Sequence, residues 1–194
     1  MKLSLDLTYK TSEDWVKTVM SDFDSFLQDH ADCERKASAM AMSFVAKCPD
    51  KIEIIPELIE TALEELEHFQ EVYTLMEKRG VKLKNEMPQD EYIQKLLKLC
   101  RSSVDERLMD RLLLASIIEC RGAERFRLVE EYSEDIEIKR FYKKLWTSEA
   151  KHGNIFVKMA LNYWDESTVY NRLKELNIEE GNVCSQLPLK AALH

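Results

Sequence analysis

Six side chains of this 194-residue chain have the types and spacing of metal ligands: Glu34, Glu65, His68, Glu119, Glu149 and His152. Glu65 and His68, and again Glu149 and His152, stand three residues apart, which on a helix sets a carboxylate and an imidazole on one face. Each of the four glutamates interrupts an apolar stripe at a point where a leucine is expected. Four carboxylates turned into a core cost many kcal/mol, or titrate to the neutral form, unless something compensates their charge. Two divalent cations would do so. Carboxylate oxygens with imidazole suit iron or manganese, and the absence of cysteine from these positions argues against a zinc or copper thiolate site. One Glu from each of two helices, with Glu-x-x-His from each of two others, is the ligand set of di-iron and di-manganese carboxylate bundles. The competing reading is a polar core of hydrogen-bonded Glu and His.

Four helices must position these groups. Apolar residues recur at three- and four-residue steps over about 21–47, 56–79, 105–131 and 134–163, the signature of helices with one buried stripe. Short links around Cys48–Glu53 and Tyr132–Asp135 make each pair an antiparallel hairpin. Glu34 and Glu65 each lie about 14 residues from the first link, and Glu119 and Glu149 about 14 from the second. At 1.5 Å per residue all four stand ~20 Å from a turn. The hairpins are copies at an offset of 84 or 85 residues, matching Ala37 with Gly122 and His68 with His152. Between them, Gly80 to Ser103 holds Pro88 and an amphipathic segment of Tyr92, Leu96, Leu97 and Cys100. Short helices are expected around Asp14–Met20 and Thr168–Leu176, and the tail beyond Gly181 carries no legible pattern. The fold expected is all-α: a four-helix bundle of two antiparallel hairpins joined by a long crossover, with extra short helices, in a single domain over 1–194.

Near neighbours divide by helical phase. Glu124, in a setting like that of Glu34, lies ~7.5 Å along the helix from Glu119 and ~140° around it, so it is set aside as a ligand. Glu64, Glu67 and Glu71 fall on a solvated face. His30, one turn before Glu34, reads first as a hydrogen-bonded core histidine and second as a residue that orients a ligand or gates substrate. Its counterpart is Ala115. With Ala37 and Gly122, that small residue leaves room for a substrate, or else for close helix packing.

Composition excludes other classes. Apolar residues are 45% and charged residues 33% of the chain, which is neither a disordered nor a membrane-spanning balance, and no apolar run reaches ~18 residues. The N-terminus lacks the pattern of a secretory signal, so a cytoplasmic protein is expected. Four glycines and four prolines leave little material for sheet-linking turns. Five cysteines, at least 15 residues apart, read as reduced and mostly buried thiols. A net charge of −8 argues against nucleic-acid binding by bulk charge, though not by a local basic patch.

The stretches Asp29-His30-Ala31-Asp32-Cys33-Glu34-Arg35-Lys36-Ala37, Lys78-Arg79-Gly80-Val81, Ile117-Ile118-Glu119-Cys120-Arg121-Gly122-Ala123-Glu124-Arg125-Phe126, Phe141-Tyr142 and Ser148-Glu149-Ala150-Lys151-His152 resemble the tRNA 2-methylthio-N6-isopentenyl-adenosine hydroxylase (MiaE) family of the ferritin-like di-iron superfamily. The resemblance spans about Asp22 to Ala160. It implies an O2-dependent monooxygenase that hydroxylates the isopentenyl side chain of a hypermodified adenosine in the tRNA anticodon loop. Two iron ions would be held by the six residues, with Glu65 and Glu149 bridging, Glu34 and Glu119 terminal or semi-bridging, and each histidine on one iron. Electrons would come from a ferredoxin- or reductase-type partner, because the chain has no flavin or nicotinamide fingerprint.

Binding tRNA requires positive surface. Arg121 and Arg125 on the third helix and Lys143 and Lys144 on the fourth are the first candidates, with Arg127, Lys139, Arg140 and the bases after helix two beside them. Membrane association is not expected, and a monomer or small oligomer is. The alternatives are an oxygenase or peroxidase with a small-molecule substrate, a ferritin-like iron-binding, ferroxidase or rubrerythrin-like protein without a tRNA substrate, and a structural helical bundle with no metal.

Overall fold

The structure, a computed structural model, describes residues 5–86 and 89–194. Pro88, part of the expected crossover, and the first four residues of the N-terminal stretch lie outside the described residues. Among the described residues there are seven α-helices and no strand. They are α1 (Glu13–Ser21), α2 (Phe23–Lys47), α3 (Ile55–Arg79), α4 (Glu91–Leu97), α5 (Val104–Tyr132), α6 (Ile136–Leu161) and α7 (Glu166–Gln186). The described residues form two compact units: 18–86 and 89 with 190–193, and 5–17 with 90–189 and 194.

The first of these units is the α2/α3 hairpin. Asp22 caps α2 by accepting from the Ser25 N–H at 3.3 Å, satisfying one of the donors a helix start leaves open. Pro56 occupies the first turn of α3, where its missing N–H costs nothing. Gly80 ends α3 at φ 71, a left-handed cap that favours glycine, and Val81 N–H bonds back to Met76 O at 2.9 Å. Ser38 Oγ donates to Ala62 O at 2.7 Å, and Gln28 Nε2 donates to Lys82 O at 2.6 Å. Those pairs recede from the link in opposite directions along the two helices, which makes the hairpin antiparallel.

The other unit is built on the α5/α6 hairpin. Trp146 Nε1 donates to Glu130 near the link at 2.6 Å, and Ser116 Oγ donates to Gly153 O farther away. A Cβ on Gly153 would fall 2.5 Å from Cys120 Sγ and 3.4 Å from Ser116 O, so glycine there permits the close approach of α5 and α6.

Helix α7 is longer than the expected Thr168–Leu176 and takes in Gly181 and part of the unread tail. Its buried stripe is Val169, Leu173, Leu176, Asn177, Glu180, Gly181 and Cys184. The last turns carry polar members, so apolar periodicity misses them. Each polar member has a remote partner: Asn177 Nδ2 donates to Asp6 O at 2.9 Å, and Glu180 pairs with Arg121. In α4, Tyr92 and Leu96 are buried as expected but Leu97, at the last helical position, is exposed. All five cysteines are free, and only Cys184 is buried; the other four are half-buried, against the expectation of mostly buried thiols.

Candidate metal centre

In the α2/α3 unit, Glu34, Glu65 and His68 are all buried, at 4, 1 and 7% exposure. Glu65 and His68 lie one turn apart on α3, and Glu34 faces them from α2. The Nδ1 atom of His68 is 3.5 Å from Glu65 Oε2 and 3.8 Å from Glu34 Oε2. These separations exceed those of good hydrogen bonds. A cation with donors at ~2.0–2.2 Å separates neighbouring donor atoms by roughly 3–3.5 Å, so the three groups are spaced much as ligands of one ion would be. Behind them, His30 is fully buried, with Nε2 2.6 Å from Glu34 Oε1. A carboxylate only accepts, so the Nε2–H tautomer of His30 donates this bond. The contact makes His30 a hydrogen-bonded core histidine and sets it where it can orient Glu34.

The α5/α6 unit repeats the pattern. Glu149 and His152 are buried on α6, with His152 Nδ1 3.4 Å from Glu149 Oε2. Glu119 is buried on α5 at 7% exposure. It stands one turn beyond Ser116, whose hydroxyl bonds Gly153, the neighbour of His152, so the three groups occupy matched turns. Ala115 is buried in the position equivalent to His30. Ala37 is half-buried, and Gly122 is buried with nothing within 4 Å of where a Cβ would point. Open space therefore flanks α5 one turn from Glu119.

In each unit the donor chemistry fits a hard divalent cation: two carboxylates would balance its charge, and oxygen with nitrogen donors suits iron or manganese. The thiol one residue from Glu119, Cys120, is pushed up to about 11 by burial and stays protonated.

Glu124 is engaged elsewhere: its carboxylate accepts from Thr11 N–H at 3.2 Å, from Thr11 Oγ1 at 2.7 Å, and from Arg121. Of the expected tRNA-facing residues, Lys143 and Lys144 are exposed on α6. Arg121 and Arg125 are not at the surface, which corrects the sequence reading. Arg121 is fully buried, with Nε and Nη2 each 2.8 Å from the Glu180 carboxylate. Arg125 is 6% exposed and its guanidinium lies 5.0 Å from the Trp15 ring centroid, with burial pressing its pKa down. The two arginines are one turn apart and face the protein interior.

Sequence reasoning missed the buried network around Glu180. Its carboxylate accepts from Arg121, from Tyr92 Oη at 3.0 Å and from Cys184 Sγ at 3.0 Å. Burial pushes this carboxyl up, but Arg121 outweighs it and holds it below the usual range. The spacing Asn177, Glu180, Gly181, Cys184 was the available signal.

The tRNA-(MS[2]IO[6]A)-hydroxylase (MiaE) family model matches residues 3–194. The tRNA 2-(methylsulfanyl)-N(6)-isopentenyladenosine(37) hydroxylase of Pseudomonas putida is 35% identical over 159 residues, covering 82% of this chain and 77% of that protein. The protein of the same description from Salmonella typhimurium is 28% identical over 108 residues, 56% of this chain and 39% of that one. Among solved structures, "Protein 43 with aldehyde deformylating oxygenase activity from Synechococcus" aligns at a TM-score of 0.91 and 29% identity, covering 97% of this chain and 94% of its own. That likeness, with seven helices among the described residues, makes the fold an all-α helical bundle of the ferritin-like kind. On a match that runs through nearly all its residues, the chain belongs to the MiaE family.

Proposed function

We propose that this protein is an O2-dependent di-iron monooxygenase that hydroxylates the isopentenyl side chain of 2-methylthio-N6-isopentenyladenosine in the tRNA anticodon loop. The observation that carries the reading is the duplicated buried half-site, Glu34/Glu65/His68 and Glu119/Glu149/His152, in a chain of this family. The chain acts as a single domain, and its six ligand residues hold two irons. Iron bound there supplies reductive activation of O2, so that one oxygen atom enters a C–H bond. The overall balance is R–H + O2 + 2 electrons + 2 protons giving R–OH + H2O. The electrons come from a separate donor protein.

The chain's own residues prepare that site. The six ligands are carried on helices rather than loops, which fixes their directions. Glu34 is held by His30, which fixes the direction of its carboxylate. The open space beside Gly122 suits a branched C5 substituent next to Glu119.

The RNA contact lies on α6. Arg140, Lys143, Lys144 and Lys151 are exposed on this helix, whose inner side carries Glu149 and His152. Unpaired anticodon-loop bases are the usual targets of sequence-specific RNA recognition, and a local basic face reaches their phosphates despite the net charge of −8. No helix among the described residues is long and apolar enough to cross a membrane. The protein acts on tRNA in the cytoplasm, as a monomer or small oligomer.

The test is the nucleoside content of tRNA from cells with and without the gene. Loss of the hydroxylated nucleoside, with its prenylated precursor accumulating, is expected. An unchanged profile in cells that make the precursor refutes the reading. Turnover of an aldehyde by the purified protein, with none of the prenylated tRNA, would favour the activity named for the Synechococcus protein instead.

A further inference from the structure

The reaction proposed above draws two electrons from outside the chain, and α3 has an outer face that ligand binding does not explain. Ile59, Leu63, Leu66 and Tyr73 lie on one line of this helix. They are 41, 56, 51 and 36% exposed. Single exposed apolar residues are ordinary, but four along one helical line form a patch of the kind that marks a protein contact.

The charge around the stripe says what kind of protein. Glu60, Glu64 and Glu67 are exposed beside it, and no lysine or arginine occurs between Lys51 and Lys78. An acidic flank of this length repels RNA phosphates. It also repels a second copy of the same face, because glutamates would be set against glutamates. The surface it fits is apolar at its centre and ringed by lysine and arginine. The equivalent helix in the internal repeat, α6, has diverged to the opposite sign, with Arg140, Lys143, Lys144 and Lys151 exposed.

Position supplies the role. Glu65 and His68 project from the buried side of the same turns of α3 that expose Leu63 and Leu66. A protein seated on the stripe is therefore separated from these ligands by roughly one helix diameter, ~10 Å. We infer that the outer face of α3 is the docking site of the electron donor, a redox protein with a basic, apolar-centred contact surface. The inference rests on the monooxygenase reading.

The test separates electron delivery from chemistry. Leu63→Ser/Leu66→Ser and Glu60→Lys/Glu67→Lys are each expressed, at matched level, in cells lacking the native copy, and hydroxylation of cellular tRNA is measured. The same proteins, purified and iron-loaded, are assayed with dithionite and methyl viologen as the only reductant. Docking on α3 predicts that both variants fall by about tenfold or more in cells, yet match wild type under chemical reduction and in tRNA affinity. Wild-type behaviour in cells overturns the inference. So does a parallel loss with dithionite, or a shift from dimer to monomer in sedimentation, which would make the stripe a contact between copies. If the wild-type protein hydroxylates tRNA under neither condition, the monooxygenase reading itself fails and the donor site with it.

Discussion

His30 Nε2 lies 2.6 Å from Glu34 Oε1, and both side chains are buried. The imidazole fixes which way the carboxylate points before any ion arrives. His30→Ala is therefore expected to keep the helical content of the protein and weaken metal binding by about 10–100-fold. Iron titration followed by calorimetry checks this. Unchanged affinity would return His30 to a packing role.

Arg121 and Glu180 form a doubly hydrogen-bonded ion pair from which water is excluded. Glu180→Gln leaves the buried guanidinium with only the less buried Glu124 carboxylate as counter-charge, and the expected loss is up to about 3–5 kcal/mol in urea unfolding. Arg121→Met/Glu180→Met removes both charges and should recover most of that loss. A Glu180→Gln variant as stable as wild type would show that the pair contributes specificity alone.

Acid sensitivity is expected from Asp110, which is fully buried. Burial pushes its carboxyl up, but hydrogen bonds from Arg172 and Arg101, at 2.8 to 3.0 Å, outweigh burial and hold it below the ordinary value. A carboxyl depressed in the folded state stabilises fully above its unfolded pKa of ~3.9, and that stability is lost as pH falls through the folded value. The urea midpoint of the wild type should drop below about pH 4, and that of Asp110→Asn should drop less steeply from a lower start. Equal slopes would remove Asp110 from the account.

Gly122 tests the space beside α5. Nothing lies within 4 Å of its would-be Cβ, so Gly122→Ala should fold and bind iron as the wild type does, with a small gain from helix propensity of up to ~1 kcal/mol. Gly122→Leu should keep its iron while raising KM for tRNA carrying the isopentenyl group. Unaltered kinetics in Gly122→Leu would place the substrate elsewhere.

Much of this structure is legible in the sequence because the information is local or duplicated. The stripes of α2, α3, α5 and α6 repeat within each helix, and the 84- or 85-residue offset gives each Glu-x-x-His helix a second copy to compare with. What escaped depends on distant partners. Glu180 interrupts the stripe of α7, and its partner Arg121 is 59 residues away. Asn177 bonds Asp6 across 171 residues. For the same reason Arg121 and Arg125 read as surface bases: periodicity reports that a helix has a second face, but not that α7 and Trp15 cover it.

The central claim is that six buried side chains hold two metal ions. Iron per chain, measured by plasma mass spectrometry on protein loaded anaerobically and then desalted, tests it most directly. About two irons are expected for the wild type, with sharp loss in Glu34→Ala, Glu119→Ala and His152→Ala and none in Glu124→Ala. Equal loss in Glu124→Ala and Glu119→Ala, or no retained iron in the wild type, would contradict the account.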